Sequence, residues 1–153
     1  MEINTKYFGT LPFSKDEAIH FENGLFGFEN YTDFVLIRFE NDSNALLCLQ
    51  SLQDEHLAFV VMNPFSFTAE YNPVLSAGDL KLLGADKIDD LFFYNICVVQ
   101  PEIENSTVNL RCPIVVNPVN KQAAQFILED TSYLFKQPFM DIIKKEGSDN
   151  AGS

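Results

Sequence analysis

The sequence has 153 residues, a length that indicates one domain with a single core. Its formal net charge of −12 argues against nucleic acid and anionic membranes as direct partners, because both are polyanions that bind basic surfaces. The charge leaves two alternatives open, a basic or amphipathic protein partner and simple solubility. The acidic excess is uneven, since residues 1–104 carry seventeen acids and five bases and residues 105–153 carry five of each.

The first residues lack the basic start and apolar stretch of a signal peptide, and no apolar run reaches the length of a membrane span. We therefore expect a cytoplasmic protein. Cys48, Cys97 and Cys112 lie far apart in strand-like runs. They are expected to be reduced core residues, and neither a disulfide framework nor a zinc site.

Residues 21–31 read FENGLFGFENY, which raises the question of a phosphate-binding loop. Such loops need Gly-Lys-Ser/Thr, or Gly-x-Gly-x-x-Gly at the start of a helix. Here the glycines are three residues apart, no Lys or Ser follows, and Glu22 and Glu29 would repel a phosphate. We predict a turn in which Gly24 and Gly27 adopt backbone conformations that side chains disfavour, with the aromatic rings packed on the end of a sheet.

The next part of the chain consists of short apolar runs separated by polar turns. The runs cover residues 34–39, 45–52 and 57–62, and Asn63-Pro64 ends the last of them. Short runs rich in β-branched and aromatic residues predict an antiparallel meander. Ser76 to Asp79 then predicts the capped start of a short helix, one of few in the chain.

A second series of runs follows, with strands predicted at 92–99 and 107–112. The second strand alternates, with Val108, Leu110 and Cys112 on one face. Pro113 cannot donate to a strand ladder, so it marks an edge or a bulge.

The strand after Pro113 ends in Asn117-Pro118, which repeats the Asn-Pro ending of the first meander and suggests an internal duplication. A further strand is predicted at 124–128. Pro138 favours a strand before it and a short helix after it. The resulting domain covers residues 1–146, and the small polar residues 147–153 predict a disordered tail.

No pattern of residues predicts catalysis or a bound cofactor. His20 and His56 have no accompanying Gly-x-Ser-x-Gly motif, and no spacing of acids or histidines fits a metal site. Asn109 lies within an alternating strand and has two interpretations. It is either a structural amide that hydrogen-bonds a backbone group left without a ladder partner because of Pro113, or a contact to a partner.

Seven carboxylates lie in turns around the first meander and in the link between the meanders, where they would be exposed. They are Asp54, Glu55, Glu70, Asp79, Asp86, Asp89 and Asp90. Together with Asn109 they are the predicted partner-binding residues. An acidic face of this kind would suit a basic partner.

Four stretches follow one another in order along the chain: residues 1–9, residues 19–29, the block TVNLRCPIVVN at 107–117 and the run QFIL at 125–128. In these stretches the chain resembles the bacterial flagellar assembly factor FliW family. Cys112 departs from the family, which more often has alanine there. The positions that we assign to a structural signature are Phe21, Gly24, Gly27, Phe28, Leu110, Pro113 and Gln125.

The resemblance implies an all-β protein, a small antiparallel barrel built from two similar meanders, with no catalytic residues and no cofactor. Proteins of this family bind flagellin in the cytoplasm, and many also bind the RNA-binding translational repressor CsrA. Free flagellin displaces the factor from CsrA, which then blocks flagellin translation. Two other classes remain alternatives: a small ligand-binding barrel or enzyme with a pocket at one barrel end, and a structural subunit that associates through strand edges.

Overall fold

The structure is a computed structural model that describes residues 1–39 and 46–142. Its β-strands, in chain order, are β1 (Glu2–Asn4), β2 (Thr10–Pro12), β3 (Ile19–Phe21), β4 (Asp33–Arg38), β5 (Leu46–Ser51), β6 (Ala58–Met62), β7 (Phe92–Val98), β8 (Thr107–Val108), β9 (Ile114–Val116), β10 (Gln122–Gln125) and β11 (Gln137–Pro138). The helical elements are α1 (Ala77–Leu82), single 3₁₀ turns at Lys15–Glu17, Pro64–Ser66, Ile88–Asp90 and Ile103–Asn105, and helical residues at 139–142.

Seven strands close into a barrel. Strands β3 to β7 pair in sequence order, each antiparallel to the next. Strand β7 also pairs with β9, β9 pairs with β10, and β10 returns to β3. The prediction of an all-β barrel with little helix is confirmed. The closing β3–β10 pair is parallel, however, and it is the exception to the antiparallel arrangement among the described strands.

Strands β1 and β2 form a separate hairpin that the sequence patterns did not predict. The loop between these two strands is tied to the barrel, because the side chain of buried Gln50 accepts a hydrogen bond from the backbone N–H of Lys6 (2.9 Å). The hairpin is therefore attached to the β5 strand through a buried amide.

The barrel interior is filled by apolar side chains. Phe21 and Phe34 are fully buried and meet edge-to-face, with ring centroids 5.4 Å apart. Leu49, Val61 and Ile114 pack in the same cluster. Because this core fills the barrel, little of the interior is left for a ligand.

Two further apolar clusters lie on the outer face of the barrel. Neighbouring residues of a strand point to opposite faces, so Val61 points inward and Met62 outward. Met62 packs with Val108 and Leu110, whereas Val115 on β9 packs in a third cluster. Residues from the long connections before β7 and after β10 cover these outer faces.

The chain between β8 and β9 forms a large bulge, at residues 109–113. In β7, Cys97 pairs with Val108, and Tyr94 pairs with Ile114. Two β7 residues therefore face five residues of the other strand. Of the two alternatives predicted at Pro113, an edge or a bulge, the pairing shows a bulge. The strand predicted at 107–112 is wrong in its extent, since it ends at Val108.

The alternating burial predicted for this segment holds nevertheless, because Val108, Leu110 and Cys112 are all buried. The physical reason for the early end is that Pro113 has no N–H for the ladder and the extra residues displace the backbone from β7. The bulge will be called the 109–113 bulge.

The strand predicted at 124–128 starts two residues earlier and ends three residues earlier, at Gln122–Gln125. Beyond it, the N–H of Phe126 donates to the Pro113 carbonyl (3.1 Å) and that of Leu128 to the Arg111 carbonyl (2.8 Å). This stretch therefore follows the 109–113 bulge instead of continuing the barrel strand.

The ambiguous region around Pro138 contains both predicted elements. Pro138 itself belongs to β11, where it pairs with Thr107, and residues 139–142 are helical. Residues 143–146 and the predicted tail at 147–153 lie outside the described residues, so the domain boundary stays a prediction.

The two Asn-Pro sequences form the same local turn. The Asn63 side-chain oxygen accepts the N–H of Phe65 (3.0 Å), and that of Asn117 accepts the N–H of Val119 (3.0 Å). Each amide thus stabilises the bend directly after a strand of the barrel. The similarity agrees with an internal duplication, which itself stays a prediction.

The glycine-rich segment forms tight turns at one end of the barrel, as predicted. Gly24 and Gly27 have φ angles of 67° and 84°, in the left-handed region that L side chains disfavour. The N–H of Phe28 donates to the Leu25 carbonyl (2.8 Å), so Gly27 occupies the position of a type II turn that needs positive φ.

We predict that Gly24→Ala lowers the free energy of unfolding more than Gly27→Ala. A Cβ at Gly24 would lie 2.6 Å from the Glu29 carbonyl oxygen, whereas one at Gly27 would meet no atom within 4 Å. The expected losses are about 2–4 kcal/mol at Gly24 and about 1 kcal/mol at Gly27. Urea unfolding of both variants measures the difference, and equal losses would contradict the close approach of Glu29.

Candidate functional site

Two adjoining cavities form a groove on the outside of the barrel, and Tyr133 lines both of them. The smaller has a volume of about 260 Å³ and the larger about 540 Å³. The smaller is lined by Thr68, Glu70, Tyr71, Leu110, Ser132, Tyr133, Gln137, Asp141 and Ile142. The larger is lined by Asn72, Val74, Ser76, Asp79, Ile127, Leu128, Glu129, Asp130 and Tyr133. We call the two together the acidic groove.

Two tyrosines connect the acidic groove to the 109–113 bulge. The rings of Tyr71 and Tyr133 meet edge-to-face, with centroids 4.9 Å apart. The Tyr71 hydroxyl donates to the Leu110 carbonyl (2.6 Å), and the Tyr133 hydroxyl accepts the N–H of Asn72 (2.8 Å). These bonds tie the connections before β7 and after β10 to the same part of the barrel wall.

Buried Asn95 on β7 forms hydrogen bonds both to the 109–113 bulge and to Tyr71. Its amide nitrogen donates to the Asn109 carbonyl (2.8 Å) and to the Tyr71 hydroxyl oxygen (3.3 Å). Its amide oxygen is buried without a hydrogen-bond partner among the described residues. Burial raises the pKa of Tyr71, and the Asn95 amide opposes this only in part, so the hydroxyl stays a neutral donor.

Carboxylates surround the groove on both sides. Glu70 and Asp141 line the smaller cavity, and Asp79, Glu129 and Asp130 line the larger. Among the described residues that line the two cavities there is no Lys or Arg. The lining therefore has a strongly negative character at neutral pH.

Two of these carboxylates also hold the local backbone. Asp79 accepts the N–H of Ser76 (3.0 Å) in a capping box at the start of α1, as predicted. Asp130 accepts the N–H and the hydroxyl of Ser132 (2.9 and 2.6 Å). These bonds lower the pKa of Asp130, to which the charge of Arg111 makes a smaller contribution.

The seven predicted carboxylates do not form one surface. Glu70 and Asp79 line the acidic groove, whereas the others lie elsewhere. Asp54 and Glu55 precede β6, and the Asp86, Asp89 and Asp90 cluster precedes β7. Because β6 and β7 are antiparallel, their starting ends lie at opposite ends of the barrel. Sequence reasoning missed Glu129, Asp130 and Asp141, since the third of the chain that contains them has no net charge.

Asn109 satisfies the backbone of the 109–113 bulge. Its side-chain oxygen accepts the N–H of buried Cys112 (2.9 Å), and its own N–H donates to the Ile96 carbonyl (2.9 Å). The geometry supports the structural interpretation of this amide. A contact between Asn109 and a partner stays a prediction.

Three of the structural signature residues, Leu110, Pro113 and Gln125, lie at this bulge. The Gln125 side-chain oxygen accepts the N–H of Phe26 (2.9 Å), and its nitrogen donates to the Cys112 carbonyl (3.3 Å). Gln125 therefore clamps the glycine-rich turn against the bulge. Leu110 and Pro113 are buried within the same region.

The surroundings of His20, Cys48 and Cys97 indicate structural roles for these side chains. The His20 ring lies between Asp33 (2.9 Å) and Glu22 (3.2 Å), and the bond to Asp33 is the main reason why its pKa is raised. Burial raises the pKa of Cys48 to about 11 and of Cys97 to about 12, so both thiols stay protonated. Within residues 1–39 and 46–142, no cluster of three or more potential ligands could hold a metal, and no helix could span a membrane.

Comparison with known proteins assigns a family to this fold. The family model described as FliW protein matches residues 2–139. The chain belongs to the FliW family. It is 35% identical to the flagellar assembly factor FliW of Thermoanaerobacter pseudethanolicus (94% of this chain, 96% of the relative). It is 38% identical to that of Bacillus subtilis (90% and 96%).

The fold of this chain agrees with a crystal structure of the flagellar assembly factor FliW. The two superpose with a TM-score of 0.83 at 32% identity, over 90% of this chain and 96% of the other. The barrel described above is therefore the fold of the FliW family, as the resemblance implied.

We predict that Asn109→Ala destabilises the protein by about 1–2 kcal/mol, because the buried N–H of Cys112 loses its acceptor. The matched control is Asn105→Ala, an exposed amide that donates to the Glu102 carboxylate (3.3 Å), with an expected change within about 0.5 kcal/mol. Thermal unfolding of both variants measures the effect. An Asn109 variant of normal stability that no longer binds a partner would instead identify a contact residue.

Proposed function

We propose that this flagellar assembly factor binds flagellin in the cytoplasm and antagonises a CsrA-type translational repressor, so that the amount of free flagellin controls flagellin synthesis. The observation that carries the proposal is the FliW family match over residues 2–139. The protein would act by binding, without catalysis or a cofactor.

The arrangement of the molecule supports a binding function. The barrel interior is filled with side chains, whereas the cavities of the acidic groove open between connections on its outer face. The thiols are protonated, and His20 is held between two carboxylates instead of facing a nucleophile. These features favour surface recognition over the alternative of a ligand-binding barrel or enzyme with a pocket at one end.

The carboxylates give the protein a surface suited to a basic repressor. Asp86, Asp89 and Asp90 are exposed and lie close together in the link before β7. Exposed charges of this kind accelerate encounter with a partner of opposite charge more than they strengthen the final complex. The repressor would therefore be attracted by the acidic surface before specific contacts form.

The test of the proposal is a pull-down from the cytoplasm of the source cells, with the tagged full-length chain as bait. We expect flagellin and the repressor to be retained and identified by mass spectrometry. Added flagellin should displace the repressor from the bait. Retention of neither protein would contradict the proposed function.

We predict that the association rate with the repressor falls as salt concentration rises, because exposed charges are screened beyond about 8 Å at physiological ionic strength. Replacing Asp86, Asp89 and Asp90 by Asn should also slow association, whereas flagellin binding should depend less on salt. Stopped-flow measurements over a range of salt concentrations give both rates. A repressor association rate that responds to neither change would leave the acidic cluster as a solubility feature.

A further inference from the structure

We propose that one mouth of the barrel binds a small organic carboxylate, with the acid group on the guanidinium of Arg38 and an apolar body between aromatic rings. The site is separate from the acidic groove, and the inference goes beyond the proposed function without depending on it. It is carried by a cavity of about 300 Å³, which we call the mouth pocket. Its lining includes Arg38, Leu47, Asn63, Phe65, Phe92 and Tyr94.

The strand register places the mouth pocket at an end of the barrel. Leu47 and Tyr94 pack against the barrel core, so both side chains point inward. Arg38 pairs with Leu47, and opposite residues of an antiparallel pair share one face of the sheet, so Arg38 points inward too. Strand β4 ends at Arg38 and β7 begins at Phe92, which puts both at the same end. The pocket therefore lies above the filled core, at a barrel mouth, where ligand sites are common.

Arg38 provides a cation that the fold itself does not use. Its guanidinium makes no hydrogen bond or ion pair within residues 1–39 and 46–142. Glu17 lines a neighbouring cavity with Arg38, but its carboxylate accepts the N–H of Ser14 (3.0 Å). Among the described residues that line the mouth pocket there is no Asp or Glu. A guanidinium in such surroundings can bind a carboxylate through two parallel N–H···O bonds.

Tyr94 and Asn63 add neutral donors to the same pocket. Burial raises the pKa of Tyr94 and the charge of Arg38 opposes this only in part, so the hydroxyl stays protonated at neutral pH. The Asn63 side-chain oxygen already accepts the N–H of Phe65 (3.0 Å), which leaves its amide nitrogen as a donor for a ligand. Since neither group nor Arg38 is a nucleophile or general base at neutral pH, the pocket would bind the acid without transforming it.

Aromatic rings supply the apolar part of the site. Phe65 and Phe92 line the pocket and are 49% and 54% exposed. Phe65 packs edge-to-face on buried Phe93, with ring centroids 6.0 Å apart. A flat apolar body beside these rings would remove their surface from water, which favours binding. The volume is at the low end for ligand sites, so it suits a small molecule better than a stretch of polypeptide.

The direct test is a titration of the isotope-labelled full-length chain with 3-phenylpropionate, followed by the chemical shifts of the backbone amides. The net charge of −12 opposes an anion, so we expect a Kd of only about 1 mM, with the shifts centred on Arg38, Asn63 and Phe92. Shifts that are absent, or scattered over the molecule, would overturn the proposal.

Two further probes separate the contributions of charge and ring. The neutral amide 3-phenylpropionamide lacks the charge, and acetate lacks the ring. Each should bind at least about tenfold more weakly than 3-phenylpropionate. Equal binding of either probe would overturn the proposal, because the pocket would then recognise only one half of the ligand.

Matched variants test the contact between the acid and Arg38. Arg38→Gln and the control Lys136→Gln each remove one exposed positive charge, and Lys136 does not line the pocket. We expect Arg38→Gln to weaken binding at least about tenfold, Arg38→Lys about threefold, and the control less than about twofold. Thermal unfolding checks that all three variants fold. Equal weakening by Arg38→Gln and the control would mean non-specific attraction and would overturn the proposal.

A second pair of variants tests the aromatic contribution. Phe92→Ser removes a half-exposed ring from the pocket, and Val119→Ser removes an apolar side chain that is 90% exposed elsewhere. We expect Phe92→Ser alone to weaken binding of 3-phenylpropionate, by at least about threefold, and to leave acetate binding unchanged. Unchanged binding of 3-phenylpropionate by Phe92→Ser would overturn the proposal.

Other occupants of the mouth pocket give different results. A short peptide that ends in phenylalanine carries the same ring and acid at the end of a chain. Tighter binding of this peptide than of 3-phenylpropionate would assign the pocket to a protein terminus. Binding of 3-phenylpropionate that appears only after Glu40→Gln/Asp42→Asn would show that the chain's own acids occupy Arg38. Either result overturns the proposal.

Discussion

Three additional residues between β8 and β9 set the geometry on which the other features of the barrel wall depend. Only two residues of β7 face residues 109–113, so the backbone of this bulge leaves the ladder and its polar groups need other partners. Asn109, Asn95 and Gln125 provide those partners from three different parts of the chain. The bulge is thus stabilised by side-chain amides together with backbone hydrogen bonds to Ile96, Leu134, Phe126 and Leu128.

The same bulge connects two exposed surfaces of the protein. On one side Tyr71 bonds the Leu110 carbonyl and forms part of the acidic groove. On the other side Gln125 bonds both Cys112 and the turn that presents the half-exposed ring of Phe26. A protein that recognises partners through its surface needs such elements held at fixed positions, and the packed barrel supplies that support.

The charge distribution along the chain differs from the distribution over the folded molecule. The carboxyl-terminal third has no net charge, yet Glu129, Asp130 and Asp141 line the acidic groove together with Glu70 and Asp79. Among the described basic residues of that third, Arg111, Lys121 and Lys136 are not part of the groove lining. Net charge per segment therefore shows where acids are in excess along the chain, while the folded structure determines which carboxylates lie side by side.

Features that depend on neighbouring residues could be predicted well from sequence. The β4–β6 meander follows from short apolar runs between polar turns, the start of α1 from the Ser76 and Asp79 capping box, and the turn at Gly24 and Gly27 from the need for positive φ. The resemblance to the FliW family could also be identified, because its motifs occur in order along the chain.

The sequence alone therefore determined the all-β class, the strands of the first meander, the glycine turn and the family. Local propensities depend on neighbouring residues, and the order of motifs can be read directly along the chain. Only the tertiary structure decided the extent of the 109–113 bulge, the parallel β3–β10 closure and the acidic groove. These features depend on contacts between distant residues: Tyr71 and Leu110 are 39 positions apart, and Phe26 and Gln125 are 99 positions apart. No local pattern specifies such contacts, because each forms only when the barrel has brought the two parts of the chain together.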